Sequence, residues 1–133
     1  MPTVVDSSAI VALFRSEPEA EAIWAHVRGG VELFLPVSCY LESVMVLSRF
    51  DGSRHWLDTL TNRYDVILLT CDPAQARLAA DVFERYGRGS GHPAKLNFGD
   101  CLSYAAAASL GAPLLFKGAD FTLTDVRSAL AAS

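Results

Sequence analysis

The chain has 133 residues, of which 51% are hydrophobic and 20% charged. That is one domain of ordinary size with enough apolar side chains for a core, and it excludes a disordered chain. A net charge of −4 excludes a protein that holds nucleic acid by bulk charge, and no apolar stretch reaches the ~18 residues a membrane span requires.

Met1-Pro2-Thr3 carries no basic n-region, so no signal peptide is expected. Thr3-Val4-Val5 reads as a buried strand, followed by Asp6 and then a helix over Ser7-Ser8-Ala9-Ile10-Val11-Ala12-Leu13-Phe14. Taken alone, Asp6 reads as the cap of that helix. Ser16 and Glu19 have capping-box spacing, with Pro18 suited to a first turn; Ala20, Ile23, Trp24 and Val27 then recur at helical spacing. Gly29-Gly30 ends that helix, and Val31–Leu35 is a short strand closed by Pro36.

Ser38 opens a further helix whose first turn contains Glu42. Asp51-Gly52-Ser53 is a turn, and Trp56, Leu57 and Leu60 mark a short core helix. Val66-Ile67-Leu68-Leu69 reads as a strand covered on both faces. Asp72-Pro73-Ala74-Gln75 has the full signature of a helix start, which gives Asp72 a capping role. The stretch from Arg85 to Gly99 carries Arg85, Arg88, His92 and Lys95 and no acid. It reads either as a solvated mobile loop or as a lip that faces phosphates. Its glycines lack P-loop spacing, which argues against a nucleotide triphosphate site. Asp100 lies in the first turn of an Ala-rich helix that Gly111 closes. Pro113–Phe116 is a buried strand, and Lys117 to Asp120 follow its end. Thr124-Asp125-Val126 is a candidate last edge strand, with a turn the preferred role for Asp125.

Strands alternate with helices, which predicts a three-layer α/β/α fold around a parallel sheet of four or five strands. Loops after the strands of such a sheet share one rim. Asp6 and Asp120 follow strands, and Glu42 and Asp100 sit at helix starts, so four acids from distant segments can meet there. That changes the reading of Asp6 from cap to shared site. Four carboxylates in one pocket repel unless a cation holds them. All-oxygen donors select hard ions, Mg²⁺ or Mn²⁺, whose chemistry beside a phosphate is phosphodiester hydrolysis. The acidic balance fits, since with four acids on a cation the other 11 match the 11 bases. Cys39, Cys71 and Cys101 are widely spaced, have no Cys-x-x-Cys pair, and read as small buried residues of a reducing compartment, hence a cytoplasmic location.

Val4-Val5-Asp6-Ser7-Ser8-Ala9, the Ser38-to-Glu42 helix start, Leu96-Asn97-Phe98-Gly99-Asp100-Cys101 and Leu115-Phe116-Lys117-Gly118-Ala119-Asp120-Phe121 together resemble the PIN domain, nearest to the VapC ribonuclease toxins of VapBC toxin–antitoxin systems. The resemblance spans essentially the whole chain, 1–133, as one PIN-like domain. It implies a Mg²⁺-dependent endoribonuclease, with Mn²⁺ an alternative ion. Asp6, Glu42, Asp100 and Asp120 are then the catalytic acids. Asp6 and Asp100 would be the direct metal ligands, with Glu42 and Asp120 acting directly or through water. Ser8 would support Asp6 through its hydroxyl. Candidate RNA-contacting residues are Arg85, Arg88, His92, Lys95 and Lys117. The implied partners are an RNA substrate, a VapB-like antitoxin and a second copy in a homodimer, with no membrane. Phe14 and Trp24 are candidates for such interfaces, with core packing the default. One departure is Gly118, where some PIN domains carry a further acid.

Three other readings compete. A phosphatase of the haloacid dehalogenase type wants an Asp two residues after Asp6, where Ser8 stands. A receiver-like signalling domain, prompted by Lys117, needs a phosphoacceptor for which Asp72 is the only candidate. A PIN-like interaction module without catalysis would not need all four acids.

Overall fold

The computed structural model describes residues 2–130. Its elements in order are β1 (Pro2–Val5), α1 (Ser7–Phe14), α2 (Ala20–Val27), β2 (Glu32–Pro36), α3 (Val37–Val46), α4 (Ser53–Arg63), β3 (Ile67–Leu69), α5 (Pro73–Tyr86), α6 (Phe98–Leu110), β4 (Leu114–Leu115) and a 3₁₀ turn (Asp120–Leu123). The strands form one parallel sheet in the order β3-β2-β1-β4. The register pairs Thr3 with Leu33, Val5 with Leu115, and Leu35 with Leu68.

Successive strand side chains point to opposite faces, and the two layers follow from that alternation. Val4 and Leu114 face a core built with α5 and α6, and Phe116 and Phe121 close it from below the rim. Val5, Leu33, Leu35 and Leu115 face the other core, built with α1 to α4. The result is the expected three-layer α/β/α arrangement with four strands.

Several local expectations change. Ser16 does not cap α2. It stands in the left-handed region (φ 51°), where its N–H bonds the Leu13 carbonyl while Glu17 N–H reaches Ala12, the closing pattern of α1. Glu19 takes the N-cap position of α2 without a side-chain cap. The helix after β2 starts at Val37, directly after Pro36, so Glu42 lies in its second turn rather than its first. β3 is the sheet edge, and Ile67 and Leu68 are exposed at 43% and 45% rather than covered on both faces. Thr124–Val126 is not a strand. The Thr124 hydroxyl accepts from Val126 N–H in a turn, and a single parallel bridge between Leu114 and Ser128 follows it. Phe14 and Trp24 pack inward, with Phe14 centred 5.1 Å from Trp56 and Trp24 6.2 Å from Tyr64. Asp72 caps α5 by accepting from Gln75 N–H at 2.8 Å, which removes the candidate phosphoacceptor of the receiver reading.

Candidate active site

Asp6 is the first residue after β1 and the N-cap of α1. Its backbone N–H bonds the Leu115 carbonyl at 2.9 Å, which ties the end of β1 to β4. The side chain is only 4% exposed, and its charge is met by donors. Oδ2 accepts from Ser8 N–H at 3.0 Å and from the Ser8 hydroxyl at 2.6 Å; Oδ1 accepts from the Ser103 hydroxyl at 2.5 Å. The capping reading of Asp6 holds, since the carboxylate accepts from Ser8 N–H at the start of α1. The same Ser8 hydroxyl oxygen accepts from Lys117 N–H at 3.0 Å, from beyond β4.

Glu42 accepts from the Ser7 hydroxyl at 2.7 Å, which joins α3 to the start of α1. Asp100 sits in the first turn of α6 and shares a reciprocal cap with Asn97. Asn97 Oδ1 accepts from Asp100 N–H at 2.9 Å, and Asp100 Oδ2 accepts from Asn97 N–H at 3.1 Å. Gly99 lies between them in a close approach, because a Cβ there would stand 3.1 Å from Glu42 Oε1 and 3.2 Å from Oε2. Asp120 opens the exposed 3₁₀ turn after β4.

Electrostatics links the four segments. Burial pushes the Asp100 carboxyl up to about 6, and the charges of Asp6, Asp120 and Glu42 push it the same way against the bond from Asn97. One carboxyl on α6 thus feels the acids of β1, α3 and the turn after β4. As they stand, the described residues include no group of three or more His, Cys, Asp or Glu arranged to hold an ion. Carboxylates with raised mutual repulsion are nonetheless the donor chemistry that fits a hard divalent cation.

The basic candidates divide. Arg88 and Lys95 are exposed and, among the described residues, make no ion pair. Arg85 lies over the Tyr86 ring at 4.7 Å and 3.9 Å from Asp125. His92 meets Tyr86 edge-on at 4.7 Å, and its Nδ1 accepts from Ala94 N–H. Lys117 Nζ is held 3.0 Å from Glu17. The loop is pinned as well, since Gly87 and Leu96 bridge across it and Ala94 and Leu96 are buried. Asp125 accepts from the Tyr104 hydroxyl, a structural tie. Gly118 has φ 107°, a conformation glycine adopts and an acid would not, which accounts for the departure there.

Sequence reasoning missed Ser7, Ser103 and Asn97. The legible signal for Ser103 was a lone polar residue in an otherwise apolar run, three places after Asp100 on the same helix.

Acids at the ends of parallel strands and at the starts of the flanking helices are the arrangement of an α/β hydrolytic domain. Residues 3–126 match the PIN domain family. Ribonuclease VapC42 of Mycobacterium tuberculosis is 41% identical over 128 residues, covering 95% of this chain and 98% of the relative. Ribonuclease VapC of Mycolicibacterium smegmatis is 44% identical over 126 residues, covering 92% and 96%. Among solved structures, M. tuberculosis VapC20, described as a sarcin-ricin loop cleaving toxin, superposes with a TM-score of 0.72 at 18% identity, covering 93% of this chain and 95% of that one. VapBC2 of Rickettsia felis, bound to a DNA fragment from its promoter, gives 0.73 at 10% identity, covering 96% of each. The chain belongs to the PIN domain family and, within it, to the VapC ribonucleases.

Proposed function

We propose that the chain, as one domain, is a divalent-metal-dependent endoribonuclease toxin that hydrolyses RNA phosphodiester bonds. The observation that carries this is the match of residues 3–126 to the PIN domain and of nearly the whole chain to VapC ribonucleases, together with a buried Asp6 carboxylate held by Ser8 and Ser103 at the end of β1. Asp6 and Asp100 would hold Mg²⁺ or Mn²⁺ directly, and Glu42 and Asp120 directly or through water. Such an ion, when bound, supplies positive charge for the scissile phosphate and acidifies the attacking water.

The chain's own residues supply the rest. Ser8 and Ser103 fix both oxygens of Asp6, and Asn97 fixes Asp100 on the first turn of α6. Arg88 and Lys95, exposed and without an ion pair among the described residues, would meet RNA phosphates. Arg85, His92 and Lys117 are engaged within the protein and contribute less. Single-stranded loops, whose bases and phosphates are accessible, are the substrate class.

A VapB-like antitoxin is the partner we assign, by analogy with the solved complexes, among them VapBC-1 of nontypeable Haemophilus influenzae. A basic side chain from that partner would be drawn to the four acids. Leu41, Met45, Val46 and Phe98 expose apolar area along a groove of about 520 Å³ that reaches Glu42. A surface of that kind suits a covering chain, the antitoxin or the second copy of a homodimer. No helix of the described residues is long and apolar enough to cross a membrane. The site of action we assign is the cytoplasm, where reduced cysteines such as Cys39 and Cys101 persist.

The test is cleavage of a structured RNA by the purified protein with Mg²⁺. Cleavage is expected to stop with EDTA and to fall by about 100-fold or more in Asp6→Asn and in Asp100→Asn. Undiminished cleavage by both variants would overturn the proposal.

A further inference from the structure

Ser103 is fully buried in α6 and donates to Asp6 Oδ1 at 2.5 Å across 97 residues of chain. A serine hydroxyl has one proton. With that proton given to Asp6, the Ser103 oxygen is left to accept, and the Cys39 thiol stands 3.1 Å from it. Cys39, on α3, is 1% exposed and also lies 3.9 Å from Asp6 Oδ1. A directed chain follows: Cys39 S–H to Ser103 Oγ, and Ser103 O–H to Asp6 Oδ1.

On the other side of the same carboxylate, Ser8 N–H and Ser8 O–H both reach Oδ2 and fill its two lone pairs. Ser103 is three residues after Asp100, so the two share a side of α6. One hydrogen bond therefore fixes the end of β1 against the helix that carries Asp100.

We propose that Ser103 is a positioning residue of the carboxylate site: its hydroxyl, oriented by Cys39, sets the direction of the Asp6 carboxylate and its distance from Asp100. This rests on the metal-dependent reading given above. A buried polar side chain inside an apolar helix face otherwise costs stability, and its partners here are a site carboxylate and a thiol rather than a helix carbonyl.

The test is Mn²⁺ binding followed by electron paramagnetic resonance, with melting temperature measured in parallel. Ser103→Ala is expected to weaken Mn²⁺ binding about tenfold, the lower end of the effect of losing a partner that orients a ligand. Ser103→Cys keeps a weaker donor in nearly the same volume, and an intermediate loss is expected. Ser53→Ala is the control. Ser53 is also a buried serine, but its hydroxyl bonds the Leu47 carbonyl, so that variant should lower the melting temperature and leave Mn²⁺ binding unchanged. Ser103→Ala or Ser103→Cys binding Mn²⁺ as tightly as wild type would overturn the positioning role and leave the metal site standing. Wild-type protein that binds no Mn²⁺ at millimolar concentration would overturn the metal reading and this inference with it.

Discussion

Asp100 carries the charge conflict of the site in one side chain. Its folded-state pKa of about 6 lies above the ordinary carboxyl value of 3.8. A raised carboxyl pKa means that folding favours the protonated form. Its contribution is therefore most favourable below about pH 4 and is lost as pH rises through about 6. Asp100→Asn removes the conflict and keeps an acceptor for Asn97 N–H. In metal-free buffer the variant should match wild type at pH 4 and melt a few degrees higher at pH 7, measured by circular dichroism melts. Equal melting temperatures at both pH values would contradict the origin assigned to the shift. At this scale the acids themselves were legible, because a carboxylate after an apolar strand is conspicuous. What positions them was not. Ser7 and Ser103 reach acids 35 and 97 residues away, and no local pattern encodes such a pairing.

Among the elements, α6 shows how local chemistry serves the site. The same reciprocal bonds that start the helix at Asn97 also orient Asp100. Asn97→Ala should cost about 1 kcal/mol of stability and lower the melting temperature by about 3 °C. The pinned loop before α6 predicts a different phenotype. Arg88→Ala with Lys95→Ala should weaken RNA binding and reduce the slope of log K against log salt by about 1.4 units, read by fluorescence anisotropy across a salt series. Melting temperature should be unaffected, since both side chains are exposed.

Element type was readable from periodicity except at Thr124–Val126, where the candidate strand is a turn, and boundaries were not. Ser16 looked like the start of α2, but the closing pattern of α1 takes it first. Glu42 moved by a turn because Pro36 passes directly from strand into helix. The apolar run at Val66–Leu69 resembles a central strand, although β3 is the edge. Hydrophobicity alone does not distinguish cover by this chain from cover by another, and the exposed Ile67 and Leu68 leave that edge open to a partner.

For the whole molecule, the parallel sheet delivers Asp6, Glu42 and Asp120 on the segments that follow β1, β2 and β4, while Asp100 arrives on α6, which follows α5. Two packed cores hold these elements together. Net charge alone argued against a nucleic-acid partner, whereas the distribution of charge argues for one reached through a cation. Whether these acids form one divalent-cation site is decided by anomalous diffraction from crystals of this protein soaked in Mn²⁺. The predicted result is a peak bonded to carboxylate oxygens of Asp6 and Asp100, at roughly the 2 Å expected of such an ion. A Mn²⁺ peak elsewhere on the molecule, with none at Asp6 and Asp100, would contradict the account.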